Sequence, residues 1–393
     1  MAEIRDQVMA ALSTVIEPEL NRDIVSLGMV RDLSIEGGSA HFTIVLTTPA
    51  CPLKNVFIER CDAAVVGKVP GIARLDIKWD AQVPTDKKMY GRLDVPIRSI
   101  VAVHSGKGGV GKSTISTNLA CALAEAGARV GLIDADILNP NLPMMTGLGY
   151  GRPRVVDNKM MPVEAYGVKV MSTGFLSEPS KPMIMRGPML HSAIRQFFMD
   201  VNWGQLDYMI VDLPPGTGDA PLSLAQSFPL TGAVIVTQPQ EVAVSDALRS
   251  AAMFDTLNVP VLGVVENMAG DFFGTGGGEK LAQERGVPFL GRIPLDAEVR
   301  KGGDYGRPVV VHQPDRAAGQ ALTQLAQATA ARRSVLICSS ASKCSVRNSS
   351  LSTDPRHKST IERICSPNNW KMLCPKTPSA RSPVISSAAR LKA

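Results

Sequence analysis

The chain has 393 residues, 45% of them apolar, and a formal net charge of +6. That length suits two domains with a sizeable core, and the absence of any run of 18 or more apolar residues argues against a membrane-spanning helix. From Ser334 onward ten Lys/Arg stand against two Asp/Glu, a net of +8, so the preceding residues carry −2 and no nucleic-acid role can be argued from the basic balance.

The opening Met-Ala-Glu-Ile-Arg-Asp-Gln is mixed in charge and has no apolar signal core, so a soluble, cytoplasmic protein is expected. Ile4, Val8, Ala11, Leu12 and Val15 recur with helical spacing. Residues 41–46 read as a strand, 52–66 as a helix and 73–79 as an alternating strand. Residues 1–85 are therefore expected to form a small α+β domain. Residues 86–97, with Lys87, Lys88, Gly91, Arg92 and Pro96, read as a linker.

Over 98–333 short Val/Ile-rich runs alternate with longer helical stretches. The strand candidates are 99–104, 129–134, 168–172, 207–212, 232–237 and 260–265. Most lack polar alternation, which is how strands buried on both faces of a parallel sheet read. The fold class is thus α/β, a doubly wound and mainly parallel sheet preceded by the small α+β domain. Residues 334–393 hold fourteen serines and four of the seven cysteines, Cys338, Cys344, Cys365 and Cys374, without periodicity. They read either as disordered or as an extension foreign to the folded protein. Three cysteines in the larger part, Cys51, Cys61 and Cys121, fit a reducing compartment; Cys61 and Cys121 sit in helical apolar runs and are expected in the core.

The strand Ser99–His104 leads into Gly106-Lys107-Gly108-Gly109-Val110-Gly111-Lys112-Ser113-Thr114 and then a helix to Ala126. This strand–loop–helix context is what a phosphate-binding P-loop requires. The glycines let backbone N–H groups turn toward phosphates, and the helix N-terminus adds partial positive charge. ATP is the expected ligand. Lys112 is expected to reach the β- and γ-phosphates, Ser113 to place its hydroxyl on Mg²⁺, and Thr114 to lie near the α-phosphate. After the next strand comes Asp134-Ala-Asp136. A carboxylate at the C-terminal end of a parallel strand points into the ligand crevice. Asp136 is expected to position the attacking water, or merely to cap a helix before Asn139-Pro140, and Asp134 to lie near Mg²⁺ through water. Tyr208-Met-Ile-Val-Asp212-Leu-Pro-Pro-Gly-Thr-Gly-Asp219 reads as a Walker B strand with a switch-like loop. Asp212 is expected to hold Mg²⁺ through water, and Gly216 to donate its N–H to the γ-phosphate. Asn267 ends a strand; it either bonds the adenine edge, with the loop at Ile293-Pro294 on the base face, or is a plain turn residue.

Lys107 places the loop in the deviant Walker A class, where the signature lysine reaches the nucleotide of a facing subunit. That resemblance implies an ATP-sandwiched homodimer. Together with Arg186-Gly-Pro-Met, Glu266-Asn-Met and Phe273-Gly-Thr-Gly-Gly-Gly-Glu279, these motifs resemble the Mrp/ApbC family of iron–sulfur cluster carrier ATPases, within the MinD/ParA-like class. Pro18-Glu19-Leu, Asp23-Ile-Val-Ser-Leu-Gly and Leu46-Thr-Thr-Pro-Ala-Cys51-Pro make the first 85 residues similar to the SufT/MIP-type domain of iron–sulfur assembly proteins. The resemblance implies apo iron–sulfur proteins as clients and ATP hydrolysis coupled to dimer closure. It also implies a [4Fe–4S] cluster held by a Cys-x-x-Cys pair, but Asn267 to Gly278 contains no cysteine. Cys51 precedes a helix whose N–H groups would lower a thiol pKa; it is either a cluster ligand or a small buried residue. The alternative function is a positioning or partition ATPase of the MinD/ParA kind. Residues 315–331 lack the basic-plus-apolar face of a membrane-seeking helix, and the slightly acidic body disfavours DNA, so neither membrane nor nucleic acid is expected as a partner.

Overall fold

Runs of β-branched residues with no polar interruption have one stable home, a sheet covered on both faces. In the computed structural model this is where they lie. It describes residues 2–83, 96–137, 139–149, 151–176, 187–218, 221, 222, 225 and 229–348. The chain divides into two compact units, Met1–Ala341 and Ser342–Ala393. The functional chemistry lies in the first.

The N-terminal part contains α1 (Ala2–Leu12), β1 (Val30–Glu36), β2 (Ser39–Leu46), α2 (Lys54–Val65) and β3 (Arg74–Ala81). β2 is central, antiparallel to β1 and parallel to β3. Val8, Leu12, Ile44, Phe57 and Cys61 share its core, so Cys61 lies where its apolar run places it. The linker read at 86–97 lies outside the described residues up to position 95.

The larger part comprises β4 (Ile100–Ser105), α3 (Lys112–Glu125), β5 (Val130–Asp134), α4 (Leu142–Met145), β6 (Val163–Ala165), β7 (Val168–Met171), α5 (Gly187–Met199), β8 (Tyr208–Asp212), β9 (Gly232–Thr237), α6 (Glu241–Thr256), β10 (Val261–Ala269), α7 (Gly277–Arg285), β11 (Phe289–Pro294), α8 (Ala297–Tyr305), α9 (Val309–His312) and α10 (Ala317–Asn348). Among the described residues the sheet has eight strands in the order β6-β7-β5-β8-β4-β9-β10-β11. All neighbours are parallel except the edge pair β6–β7. The six expected strands are present within a few residues of their expected ends. β6 and β11, short edge strands of mixed exposure, had no strand signal.

β4 shows how the layers form. All six of its residues are buried. Ile100 and Ala102 face one side with Phe198 of α5, Phe254 of α6 and Leu281 of α7. Val101 and Val103 face the other with Leu119 of α3 and Leu322 and Leu325 of α10. Each such leucine or phenylalanine contributes roughly 1.5–3 kcal/mol by leaving water. Cys121 is in this second core layer, as its run indicates.

The boundary drawn at residue 334 falls inside a helix. α10 continues to Asn348, Arg333 and Ser334 are buried, and Arg333 Nε donates to Ser99 Oγ at 2.9 Å. A serine-rich composition hid the apolar step Val335-Leu336, whose Leu336 packs on the core. The same end of α10 meets the N-terminal part, where Ser334 Oγ donates to Thr47 O at 3.5 Å, and nearby Tyr208 Oη of β8 donates to Thr48 Oγ1 at 3.1 Å. No helix among the described residues is long and apolar enough to cross a membrane.

Candidate functional site

β4 delivers the chain to the Gly-rich loop at the C-terminal edge of the sheet. Gly109 and Gly111 have φ of +81° and +87°, the left-handed region that a side chain disfavours. A Cβ on Gly106 would stand 2.2 Å from the Asp246 carbonyl, and one on Gly111 2.2 Å from Asn267 Nδ2. The loop is therefore shaped by contact with α6 and β10 as well as by its own turn. α3 then starts at Lys112 without a side-chain cap. Its first N–H groups are left for an anion, and the helix dipole points the same way.

Asp212, fully buried at the end of β8, is the hub. Its Oδ1 lies 2.9 Å from Lys112 Nζ and accepts from Ser116 Oγ at 2.7 Å. Its Oδ2 accepts from Ser113 Oγ at 2.6 Å. Sequence reasoning passed over Ser116. It lies one turn after Lys112 on the same helix face, and that spacing was the available signal.

Asp134 stands opposite Asp212 across the β5–β8 pair. Its Oδ2 accepts from Leu142 N at 3.2 Å and Ser172 Oγ at 3.0 Å, while Oδ1 is buried without a hydrogen bond. Burial first, then the Asp212 charge, pushes its carboxyl up to about 8. Asp136, half-buried, is also raised, chiefly by burial, with Asp212 adding and Lys112 opposing.

Two adjoining clefts open beside these groups. One, of about 320 Å³, is lined by Gly108, Gly109, Gly111, Lys112, Ser113 and Asp136. The other, of about 270 Å³, is lined by Asn267, Met268, Met144, Pro294 and Leu295; Thr114, Asn141 and Met145 border both. The first suits a polyphosphate and the second a flat apolar base. Ile293 is in the core, whereas Pro294 and Leu295 line the second cleft. Asn267 borders the second cleft, but its amide N–H is given to Val110 O at 2.8 Å, where it braces the loop. The N–H of Gly216 is likewise taken, by Ser105 O at 2.9 Å, and is not free for a phosphate in this arrangement.

Lys107 is half-buried beside the cleft and forms no ion pair with another described residue. A Mg²⁺ ion fits the donor set: the Ser113 hydroxyl, the Asp212 carboxylate and the unpaired Asp134 Oδ1 are hard oxygen ligands. Among the described residues no three His, Cys, Asp or Glu side chains form a metal cage. Nucleotide phosphates and water must complete such a shell, as is usual for Mg²⁺.

Cys51 lies elsewhere, in the loop between β2 and α2. It is half-exposed and shares a crevice with Glu17, Glu19, Thr48, Ala331 and Ser334. The expectation of a lowered thiol pKa is overturned. Burial pushes it up, Glu19 and Glu17 add to the shift, and the Leu53 N–H only partly opposes them. Burial pushes the Cys61 and Cys121 thiols up to about 12, as befits inert core residues.

The Gly-rich loop, the two strand-end carboxylates and the parallel sheet define a P-loop ATPase of the deviant Walker A class. Residues 96–330 match the family model described as NUBPL iron-transfer P-loop NTPase, and residues 5–79 match that of an iron–sulfur cluster assembly protein. An iron–sulfur cluster carrier protein of Synechocystis is 48% identical over 84% of this chain and 98% of its own length. One from Deinococcus radiodurans is also 48% identical, over 84% of this chain and 96% of its own. A nucleotide-binding protein of Archaeoglobus fulgidus, solved with ADP, is 40% identical over 57% of this chain and 92% of its own, with a TM-score of 0.50. The chain belongs to the Mrp/ApbC family of iron–sulfur cluster carrier P-loop NTPases.

Proposed function

We propose that this protein is an ATP-hydrolysing iron–sulfur cluster carrier that holds a cluster as cargo and passes it to apo client proteins. The observation that carries this reading is the union, in one chain, of a cluster-assembly segment and an iron-transfer ATPase. The two are packed together at Tyr208 and Thr48. Tyr208 begins the strand that ends in Asp212, so one rigid element joins the junction to the nucleotide site.

The roles follow from placement. Lys112 leaves Asp212 to bind the β- and γ-phosphates. Ser113 and Asp212, backed by Asp134, would hold Mg²⁺, which would supply neutralisation of phosphate charge. Asp136 lines the phosphate cleft and orients the attacking water. Its raised pKa suits a group that takes a proton. Thr114 contacts the α-phosphate. Lys107 acts on the nucleotide of a second copy, which makes the working species a homodimer. Cys51 supplies a thiolate to the cargo, with further ligands from the second copy or the client. Free thiols at Cys51, Cys61 and Cys121 suit a reducing, cytoplasmic setting.

A positioning ATPase is less well supported. Leu322, Leu325, Ala326 and Ala330 of α10 are spent inside the core, so that stretch has no apolar face to give a membrane.

The test is anaerobic reconstitution with iron and sulfide, followed by mixing with an apo iron–sulfur enzyme. Cluster absorbance and enzyme activation are expected. If neither develops, the carrier reading fails. A Cys51→Ala protein that keeps its cluster would remove only that ligand.

A further inference from the structure

His104 is the fifth residue of β4 and is fully buried, yet neither ring nitrogen has a hydrogen-bond partner. A buried polar group left unpaired is costly and calls for a physical explanation. On one side the ring meets Phe254 of α6 edge-on, 5.5 Å between centroids and 77° between planes. Near the ring nitrogens lies the main chain of Gly216 and Pro214, which favours the protonated ring without closing a bond to it. Burial and the nearby Lys112 charge outweigh that effect and hold the imidazole neutral, its pKa lowered to about 4.

The segment Leu213–Gly216 follows Asp212 and is pinned at both ends to β4. Leu213 N donates to Val103 O at 3.1 Å, and Gly216 N to Ser105 O at 2.9 Å. These anchors flank His104 in sequence, so the segment arches alongside the histidine, with the Pro214 and Gly216 main chain near its ring. The outer side of the arch belongs to the nucleotide site, since Pro215 lines the phosphate cleft. Pro214 and Pro215 have no N–H, so Gly216 supplies the only donor in the second half of this arch. A phosphate that recruits the Gly216 N–H removes the Ser105 anchor. The arch then needs another tether, and an unused N–H stands beneath it.

We propose that His104 is a positioning residue that latches this arch in the nucleotide-bound state. One ring N–H donates to the Pro214 or Gly216 carbonyl when the Gly216 N–H turns to the phosphate. The nucleotide-free arch keeps its backbone anchor and leaves the histidine unpaired. The bound arch reverses the two, which makes the loop two-state rather than continuously deformable. The inference rests on the ATPase site alone and not on cluster carriage.

The decisive measurement uses the wild-type protein. The chain has five histidines, and the His104 ring signals are assigned by replacing the other four in turn. With the imidazoles labelled with nitrogen-15, a low-field, slowly exchanging N–H proton should appear at His104 with Mg²⁺ and a non-hydrolysable ATP analogue. It should be absent without nucleotide. Identical His104 spectra in both states overturn the proposal. In steady-state assays His104→Leu should lower kcat about tenfold, the worth of one buried hydrogen bond, with KM nearly unchanged. His104→Gln, which keeps a donor, should recover most of that loss. Equal kcat for the Leu and Gln proteins also overturns it. Wild-type turnover in the same assay separates failure of the latch from absence of ATPase activity.

Discussion

Lys112 and Asp212 form a buried ion pair, Nζ to Oδ1 at 2.9 Å, inside the site where a nucleotide must bind. The lysine that should grip phosphate is thus held by the acid that should serve Mg²⁺. Nucleotide entry would exchange one anionic partner of Lys112 for another and free the Asp212 carboxylate to help hold Mg²⁺. Without metal, Asp212 both competes for Lys112 and repels phosphate. Asp212→Asn should therefore bind ADP in EDTA about tenfold more tightly than wild type, a gain of roughly 1.4 kcal/mol. It should also lose the tightening that Mg²⁺ gives wild type, and its turnover should fall at least about a hundredfold. Titration of a fluorescent ADP with and without Mg²⁺ measures both. Weaker metal-free binding by the variant would show that Asp212 does not compete.

Lys107 presents the opposite case, a loop lysine with no ion pair to a described residue. In a reading where it serves a second copy, it contributes little to binding within one chain. Lys107→Ala should keep ADP affinity within about threefold and lose hydrolysis by about a hundredfold or more, as for removal of a charge from a phosphoryl-transfer site. Its mass by light scattering should stay monomeric with a non-hydrolysable ATP analogue under conditions where wild type dimerises. Normal turnover by the variant removes the cross-subunit role.

The nucleotide half of the site was legible because its chemistry is local. Gly106 to Thr114 is one unbroken segment, and Asp134 and Asp212 each end a Val/Ile run that could only be a buried strand. What stayed hidden depends on packing between distant segments. Asn267 reads as a base contact or a turn residue until β10 is laid beside the loop and its amide meets Val110 O. Gly216 reads as a phosphate donor, with nothing in the sequence to show that its N–H is first held by Ser105 O. The Cys51 thiol was expected to be lowered by a helix start, but Glu17 and Glu19, over thirty positions earlier, come to lie beside it. β11 and the continuation of α10 past Ser334 were missed because an exposed edge and a serine-rich helix blur the apolar period.

The placement of Asn267 makes its two roles separable. If it acts through the Val110 carbonyl, Asn267→Ala loosens the loop for every nucleotide alike. ADP and GDP affinities should fall by the same factor, about five- to tenfold for one buried hydrogen bond. A fall confined to ADP would return the residue to base recognition.

Asp134 gives the metal-free protein a definite pH dependence. Its folded pKa, about 8, lies above the ordinary carboxylate value of 3.8, so the folded state binds more protons than the unfolded state between the two. Stability from this group is full below about pH 4 and is lost as pH rises through about 8. Asp134→Asn keeps acceptors for Leu142 N and Ser172 Oγ but cannot ionise. Urea melts in EDTA should show the variant gaining on wild type between pH 5 and pH 8.5, by on the order of 4 kcal/mol. Parallel curves across that range would mean that Asp134 does not stay protonated in the folded protein. The same variant should gain less from Mg²⁺ with nucleotide, because the neutral amide cannot take up the charge that the unpaired Oδ1 carries once the proton leaves.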